Sequence, residues 1–558
     1  MDMWQVMPAY DSYEEARREF EWDLPESYNP ARDLCRKHDS DSVALRYDPD
    51  GDSETTEQFT FGDIDRRSDR LASGLADLGV EAGDRVGVVV PQRPENPITH
   101  LANWKLGAVS VPLTVLFGPD ALQYRLEDSE AVAVVIDPSV RDDIEAIRDD
   151  CPHLEHVIEL DDSAEQRSAD SRAATPRDEG NAESFESVLD RGETGINIHD
   201  SIPETESAVM YTSGSTGPPK GVVHSHALWL GRAAAAYNYF DRGLEDATLF
   251  TPADWAWGAA LGGTLFAAWH HGCTIVGWPR DSFEPAEVFA CLDRHDVTHT
   301  FMPPTALRLL QSVENPAGRY DLSLEAIASA GEPMTADILE WGESTLPDVS
   351  INEFYGQTEL NLCVANSGDW FETRPESMGK PLPGYEARVL DPETHKPVDT
   401  GEVGELAVKP DDRRVFFDEY LGLPGKTAAK QTAEGWFLTD DLVERDEDGY
   451  LWFVSRADDV ILTKGYRVGP MEVESAILDH PMVEQVGVVG VPDETTGEAI
   501  KAAVQPVETP DDPDELRAEI RDLVRENLAA YEYPDQIEFV DELPTTSTGK
   551  IRRKSLRD

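Results

Sequence analysis

Residues 211–221 read YTSGSTGPPKG. An apolar run, Ala208-Val209-Met210, leads in with the composition of a short strand, and the alanine-rich residues 227–236 lead out with that of a helix. Gly214 and Gly217 let the main chain turn tightly and bring its N–H groups close to an anion. Thr212, Ser213, Ser215 and Thr216 add hydroxyl donors, and Lys220 adds a cation. Pro218 and Pro219 fix φ and stiffen the exit. These are the parts of a loop that wraps phosphate oxygens. Clusters of Gly, Ser, Thr and Pro also occur as ordinary solvated loops, so it is the order of the residues that favours phosphate. The loop is not a Walker A sequence, which needs glycine directly before the lysine, whereas Lys220 follows Pro219.

The surrounding chain has 558 residues, too many for one compact core, so two or more domains are expected. With 110 acidic and 48 basic residues the net charge is −62, which argues against nucleic acid or an anionic membrane surface as partner. The acidity runs along the whole chain, a pattern suited to a very salty cytoplasm, where screening shortens to about 3 Å at 1 M salt. Cys35, Cys151, Cys273, Cys291 and Cys363 are scattered and form no CxxC pair. A disulfide framework or zinc site is therefore not expected, and a reducing cytosol is. The acidic N-terminal stretch has no apolar core segment, so no signal peptide is expected, and no run reaches the length of a membrane span.

From the loop outward, helical and strand signals alternate. Residues 1–60 read as a partly helical lead-in ending in a strand pair around Asp50-Gly51, and residues 61–78 carry apolar positions at helical spacing. HLANWKLGA, AVSVPL, AVAVVID and HVIEL continue the alternation, which predicts an α/β domain with a largely parallel sheet. Residues 161–194, rich in Ser, Ala, Asp, Glu and Arg, read as a mobile surface insertion. Short strand-and-turn units (GELAVKP, GWFLTDDL, GYLWFVSR) suggest a small β-rich subdomain. About 100 residues follow the polar connector 456–459, enough for a small separate domain.

Six strings then occur in one order: YTSGSTGPPKG, AGEP at 330–333, YGQTE at 355–359, GWFLTDDL at 435–442, SRADDVILTKGYRVGP at 455–470 and STGK at 547–550. In that order they resemble the adenylate-forming acyl-CoA synthetases, over nearly the whole chain from about residue 60. The resemblance implies an AMP-forming acid–thiol ligase that uses ATP, Mg²⁺ and CoA. It implies a large N-terminal domain of stacked α/β sheets with a small β-barrel-like subdomain (1–457), and a small mobile α+β C-terminal domain (458–558) hinged near Asp458. Both first-step substrates are anions, so cations and aimed donors are needed. On the family pattern the loop 212–217 and Lys220 hold the departing phosphates. Thr358 bonds the α-phosphate, and Glu359 contacts Mg²⁺, a hard cation that prefers carboxylate oxygen. Gly331-Glu332-Pro333 and Glu353-Phe354-Tyr355, followed by Gly356 and Gln357, line the adenine, with Tyr355 stacked on it.

Asp441 matches the aspartate that holds the ribose hydroxyls. The residue before it is usually glycine and here is Asp440, which leaves open which carboxylate faces the ribose, with Asp441 preferred. Arg456 and Arg467 reach ribose and phosphate, for which arginine's planar fork is suited. Lys550 bridges the acid's carboxylate and the α-phosphate in the first step, and rotation of the C-terminal domain then brings Lys464-Gly465-Tyr466 to the thiol tunnel. Arg525 and Tyr533 fall where related enzymes contact CoA. Acetyl-specific relatives carry tryptophan where this chain has Gly356, so a longer acyl chain is expected to fit, with Trp257 as an aromatic wall. The nearest resemblance is to the medium-chain group. A ligase for acetate, propionate or butyrate, an adenylating enzyme that loads a carrier protein, and a non-catalytic nucleotide-binding module are the alternatives. Retention of Lys220, Glu359, Asp441 and Lys550 together argues against the last.

Overall fold

The computed structural model of the chain describes residues 7, 10–161, 182–212, 218–280, 282–457, 459–463, 466–493, 497–510, 512–528, 533–545 and 551–557. The described residues divide into two compact units, one within Met1–Gly214, Pro218–Glu386 and Lys409–Gln431, the other chiefly within Ala387–Val408 and Thr432–Asp558.

The larger unit is built on two sheets. One has the order Glu419–Tyr420, Lys220–Ser225, Glu206–Thr212, Val109–Leu113, Arg85–Val89, Ala133–Ile136, His156–Glu159 and Glu183–Ser184. Its centre is parallel and its strands are buried on both faces, as Ala133–Ile136 and Val109–Leu113 show. The other sheet runs from Ser377–Pro381 through Asn361–Ala365, Ser350–Gln357, Ala326–Ser329, His299–Phe301, Thr248–Phe250 and Thr274–Gly277 to Val43–Tyr47 and Glu57–Thr60. The last two strands are the expected pair, turning at Gly51 with φ +74°.

Two helices are buried nearly all round, Glu95–Leu106, polar residues included, and the largely apolar Ala227–Tyr239, as befits helices enclosed by other elements. Trp104 and Trp229, one from each, lie 4.9 Å apart by ring centroid and both donate to Ser207, at 3.0 Å to its carbonyl and 2.8 Å to its hydroxyl. The two indole N–H groups are thereby satisfied inside the core, as buried tryptophans require.

Helix Phe61–Asp77 begins at a capping box in which Thr60 and Asp63 bond each other's main chain. Against it packs helix Phe185–Arg191, with Phe185, Val188 and Leu189 buried and Ser184 as N-cap. This corrects the expectation for 161–194: its last third is ordered structure. The apolar spacing of those three residues supports a helix, but the polar surroundings hid it. Residues 162–181 lie outside the described residues.

In the smaller unit, strands Gly404–Pro410, Phe437–Arg445 and Leu451–Arg456 form an antiparallel set, the expected β-rich segment. The C-terminal part has its own sheet, Tyr466–Val468, Ile461–Thr463, Gly497–Pro506 and Val483–Asp493 in order, with Gln536–Phe539 also beside Gly497–Pro506. Helices Pro470–Leu478 and Pro513–Asn527 cover it, and Ile461, Val473, Ile477, Val488, Ile500 and Ile520 are among the residues of a separate apolar core. This is the small α+β fold expected beyond residue 458.

All five cysteines are free and buried. Burial pushes the thiols of Cys35, Cys273 and Cys291 up to about 12. No helix among the described residues is long and apolar enough to cross a membrane.

Candidate active site

The glycine- and hydroxyl-rich loop joins two antiparallel strands rather than a strand and a helix. Thr212 ends one strand and Lys220 begins the next, and the two residues are register partners. The helix comes only after the second strand, at Ala227. Ser213, Gly214, Ser215, Thr216 and Gly217 lie outside the described residues, as do Asp458, Lys464, Gly465 and Lys550.

A residue that sequence reading did not single out links the loop's cation to the candidate metal carboxylate. Strand Glu419–Tyr420 adds to the edge of Lys220–Ser225, with Tyr420 opposite Val222. There the Lys220 ammonium sits 4.3 Å from the Tyr420 ring centroid, and the Tyr420 hydroxyl donates to Glu359 Oε1 at 2.6 Å. Glu359 lies in the turn of the YGQTE hairpin and its main-chain carbonyl accepts from Phe417 N at 2.9 Å. Its second carboxylate oxygen takes no hydrogen bond among the described residues. One hard oxygen held from behind by a phenol fits Mg²⁺, which binds through one or two carboxylates plus substrate phosphates. Tyr420→Phe keeps the ring under Lys220 and removes the hydroxyl that donates to Glu359. It is expected to raise the half-saturating Mg²⁺ concentration about tenfold, the worth of one charge-assisted hydrogen bond, which a Mg²⁺ titration of activity would measure.

The rest of YGQTE lies on strand Ser350–Gln357 and its turn, with Tyr355, Gly356, Gln357 and Thr358 half-buried. Ala326–Ser329 pairs with it in parallel, Ser329 opposite Glu353, so Gly331-Glu332-Pro333 leaves the carboxyl end of the neighbouring strand, where open α/β sheets bind ligands. Gly331 has φ +101°, a conformation that favours glycine. Glu332 accepts from Thr305 at 3.1 Å and from Arg308 at 3.3 Å. Phe354 points into the core, stacked on Tyr239 at 4.3 Å, so only its main chain is free to face a nucleotide. Glu353 is buried and accepts from Met334 N at 3.0 Å. Burial pushes its carboxyl up to about 8, with repulsion from Glu376 adding to the rise.

Gly356 differs from its expected role as an absence of bulk. A Cβ there would lie 2.1 Å from the Asn361 carbonyl oxygen and 3.0 Å from Leu362 Cα, at a register shift between the two strands. The glycine answers to main-chain approach inside the hairpin, and any side chain at 356 must first displace that main chain. Trp257 is half-buried, edge-on to Phe117 at 6.4 Å, and precedes helix Gly258–Ala260. Asp254 anchors its loop by accepting from Thr114 and, at 2.8 Å, from Ala256 N.

In the smaller unit Asp441 and Arg456 are register partners and pair at 3.2 Å. The Asp441 side chain is 4% exposed and that of Asp440 47%. Asp440 has φ +60°, which accounts for glycine being usual there, since aspartate is among the few residues that tolerate this region. Tyr466 and Arg467 occupy strand Tyr466–Val468, opposite Thr463 and Leu462. Arg525 lies 4.4 Å over the Tyr533 ring, so those two residues do meet. Thr545 and Ile551, flanking STGK, form an antiparallel bridge.

Residues 32–412 match the AMP-binding enzyme family, and residues 472–550 match the AMP-binding enzyme C-terminal domain. The chain belongs to the AMP-binding enzyme family. It is 33% identical to the acetyl-coenzyme A synthetase of Bacillus subtilis (strain 168), over 98% of this chain and 94% of that protein. It is 32% identical to the mitochondrial acyl-coenzyme A synthetase ACSM3 of Mus musculus, over 98% and 93%. Among solved structures it is similar to the anthranilate CoA ligase AuaEII in complex with anthranoyl-AMP, with TM-score 0.83 and 28% identity over 96% of this chain and 98% of that one.

Proposed function

We propose that the chain is an AMP-forming carboxylate–CoA ligase acting on an acid of medium length. In the first step a carboxylate oxygen attacks the α-phosphorus of ATP. The acyl–phosphate bond forms, the α–β bridge breaks and pyrophosphate leaves. In the second the CoA thiol attacks the acyl carbon, AMP leaves and the thiol proton passes to solvent. The observation that carries this reading is Tyr420 linking Glu359 to Lys220, the cation that follows the hydroxyl-rich loop in sequence. A binding module needs no such pairing of a phosphate cation with a metal carboxylate.

Lys220, with Thr212 and the loop between them, draws charge away from the leaving phosphates. Mg²⁺ at Glu359 supplies charge neutralisation of those same oxygens when bound. Thr358 orients the α-phosphate, Tyr355 the adenine, and Asp441 with Arg456 the ribose. Arg467 meets the phosphates. Lys550 draws the acid's carboxylate to the α-phosphate. In the thiol step Lys464-Gly465-Tyr466, Arg525 and Tyr533 guide CoA, with movement at Asp458 between the steps.

AMP release with ATP and CoA across straight-chain acids of two to twelve carbons and aryl acids tests the reading. A maximum between six and ten carbons is expected. A maximum at acetate would move the assignment to the short-chain reading, which the Bacillus subtilis relative favours. The absence of acid-dependent AMP release across the panel would overturn the ligase reading.

A further inference from the structure

Helix Ala227–Tyr239 carries one charged residue among its alanines and large apolar side chains, Arg232, and that residue is 2% exposed. Its Nη1 donates to the Gly258 carbonyl, and its Nε is buried with no partner among the described residues. No carboxylate among the described residues pairs with it, in a chain where acids outnumber bases 110 to 48. Burial brings its pKa down to about 10, so it keeps its charge at neutral pH.

The space around Arg232 is made by glycine. A Cβ on Gly258 would lie 2.9 Å from both Nη atoms, and one on Gly262 2.2 Å from Cδ and 2.9 Å from Nε. Two further polar groups nearby also lack partners among the described residues: both ring nitrogens of His224, which burial, with the Arg232 charge adding to it, keeps neutral, and the hydroxyl of Tyr385. A buried cation and neighbouring orphan donors are costly unless something outside the chain satisfies them. Arg232 and its neighbour Gly231 lie beside residues adjoining the two assigned to the acyl site. Gly258 follows Trp257 in sequence, and the Asn361 carbonyl that crowds Gly356 belongs to the residue whose amide packs at Gly231 and donates to the Leu228 carbonyl at 3.3 Å.

We propose that Arg232 is a specificity-determining residue at the inner end of the acyl site, and that it reads a second carboxylate on the far end of the acid. The substrate class is then a dicarboxylic acid of medium length, activated at one end and held by the guanidinium at the other. This rests on the ligase reading above. His224 and the Tyr385 hydroxyl supply further donors to the same carboxylate, and Gly258 and Gly262 keep the cation within reach.

The test compares hexanoate with adipate, equal in carbon count and differing in the second carboxylate, on the full chain and on Arg232→Met and Arg232→Lys. The unaltered chain is expected to favour adipate by tenfold or more in kcat/KM. Arg232→Met should raise the KM for adipate at least tenfold while improving kcat/KM for hexanoate, and Arg232→Lys should fall between. Thermal denaturation supplies a second readout. Removal of an unpaired buried cation should raise Tm in the absence of substrate, and adipate should raise the Tm of the unaltered chain but not of Arg232→Met. Preference for hexanoate by the unaltered chain, an equal loss on both acids, or a lowered Tm in both variants would overturn the proposal. AMP release with neither acid, accompanied by a Tm rise with adipate alone, would overturn the ligase reading and leave Arg232 as a carboxylate site.

Discussion

Lys550→Ala is expected to abolish acid-dependent release of pyrophosphate while sparing thioester formation from acyl-AMP supplied in its place. A cation between two anions acts where charge must be brought together, and that need exists only in the first step. Loss of such a charge-stabilising donor costs on the order of a hundred- to a thousandfold. Single-turnover assays of the two half-reactions, run separately, measure the split. An equal loss in both would show that Lys550 serves the fold or a common binding step.

Glu353→Gln is expected to stabilise the protein, increasingly so with rising pH. The carboxyl's folded pKa is raised, to about 8 against an ordinary 4.5, chiefly by burial. Between those values the folded chain holds a proton that the unfolded chain has lost. Stability from this group is therefore present in full below about pH 4.5 and is lost as pH rises toward about 8. The slope approaches about 1.4 kcal/mol per pH unit, and the whole loss is on the order of 3–5 kcal/mol. Glutamine is neutral throughout and its amide oxygen can still accept from Met334 N. Thermal melts of both proteins from pH 5 to 9 should diverge, with the variant higher at the alkaline end. A constant difference across that range would mean that Glu353 does not titrate there.

The segments 211–221 and YGQTE stand out in the sequence because their composition is local: glycines, prolines and hydroxyls close together. That both lie on antiparallel hairpins was not legible, since the strand Lys220–Ser225 intervenes before the helix that composition suggested. Asp440 was flagged by sequence for standing where glycine is usual, and φ +60° gives the reason. What stayed hidden depends on distant partners. Tyr420 meets Glu359 across 61 residues, and nothing in EYLG marks its hydroxyl as a link. Arg232 in an alanine-rich helix carries no signal of burial, since one arginine per few turns is what a solvated helix also shows. Gly356 invited comparison with a bulkier residue, but the backbone of Asn361 decides what fits.

The five buried thiols have a bearing on the enzyme's own chemistry. Acyl-AMP and acyl-thioesters are acylating agents, and the enzyme generates both. The nucleophile they would meet on a protein is a thiolate. At neutral pH a thiol pushed up to about 12 is ionised in only about one molecule in 10⁵. Each cysteine here is also shut away from the surface. The chain thus offers its activated intermediate no competing sulfur, and the CoA thiol is left as the acceptor: protection from self-acylation is built into where the cysteines sit.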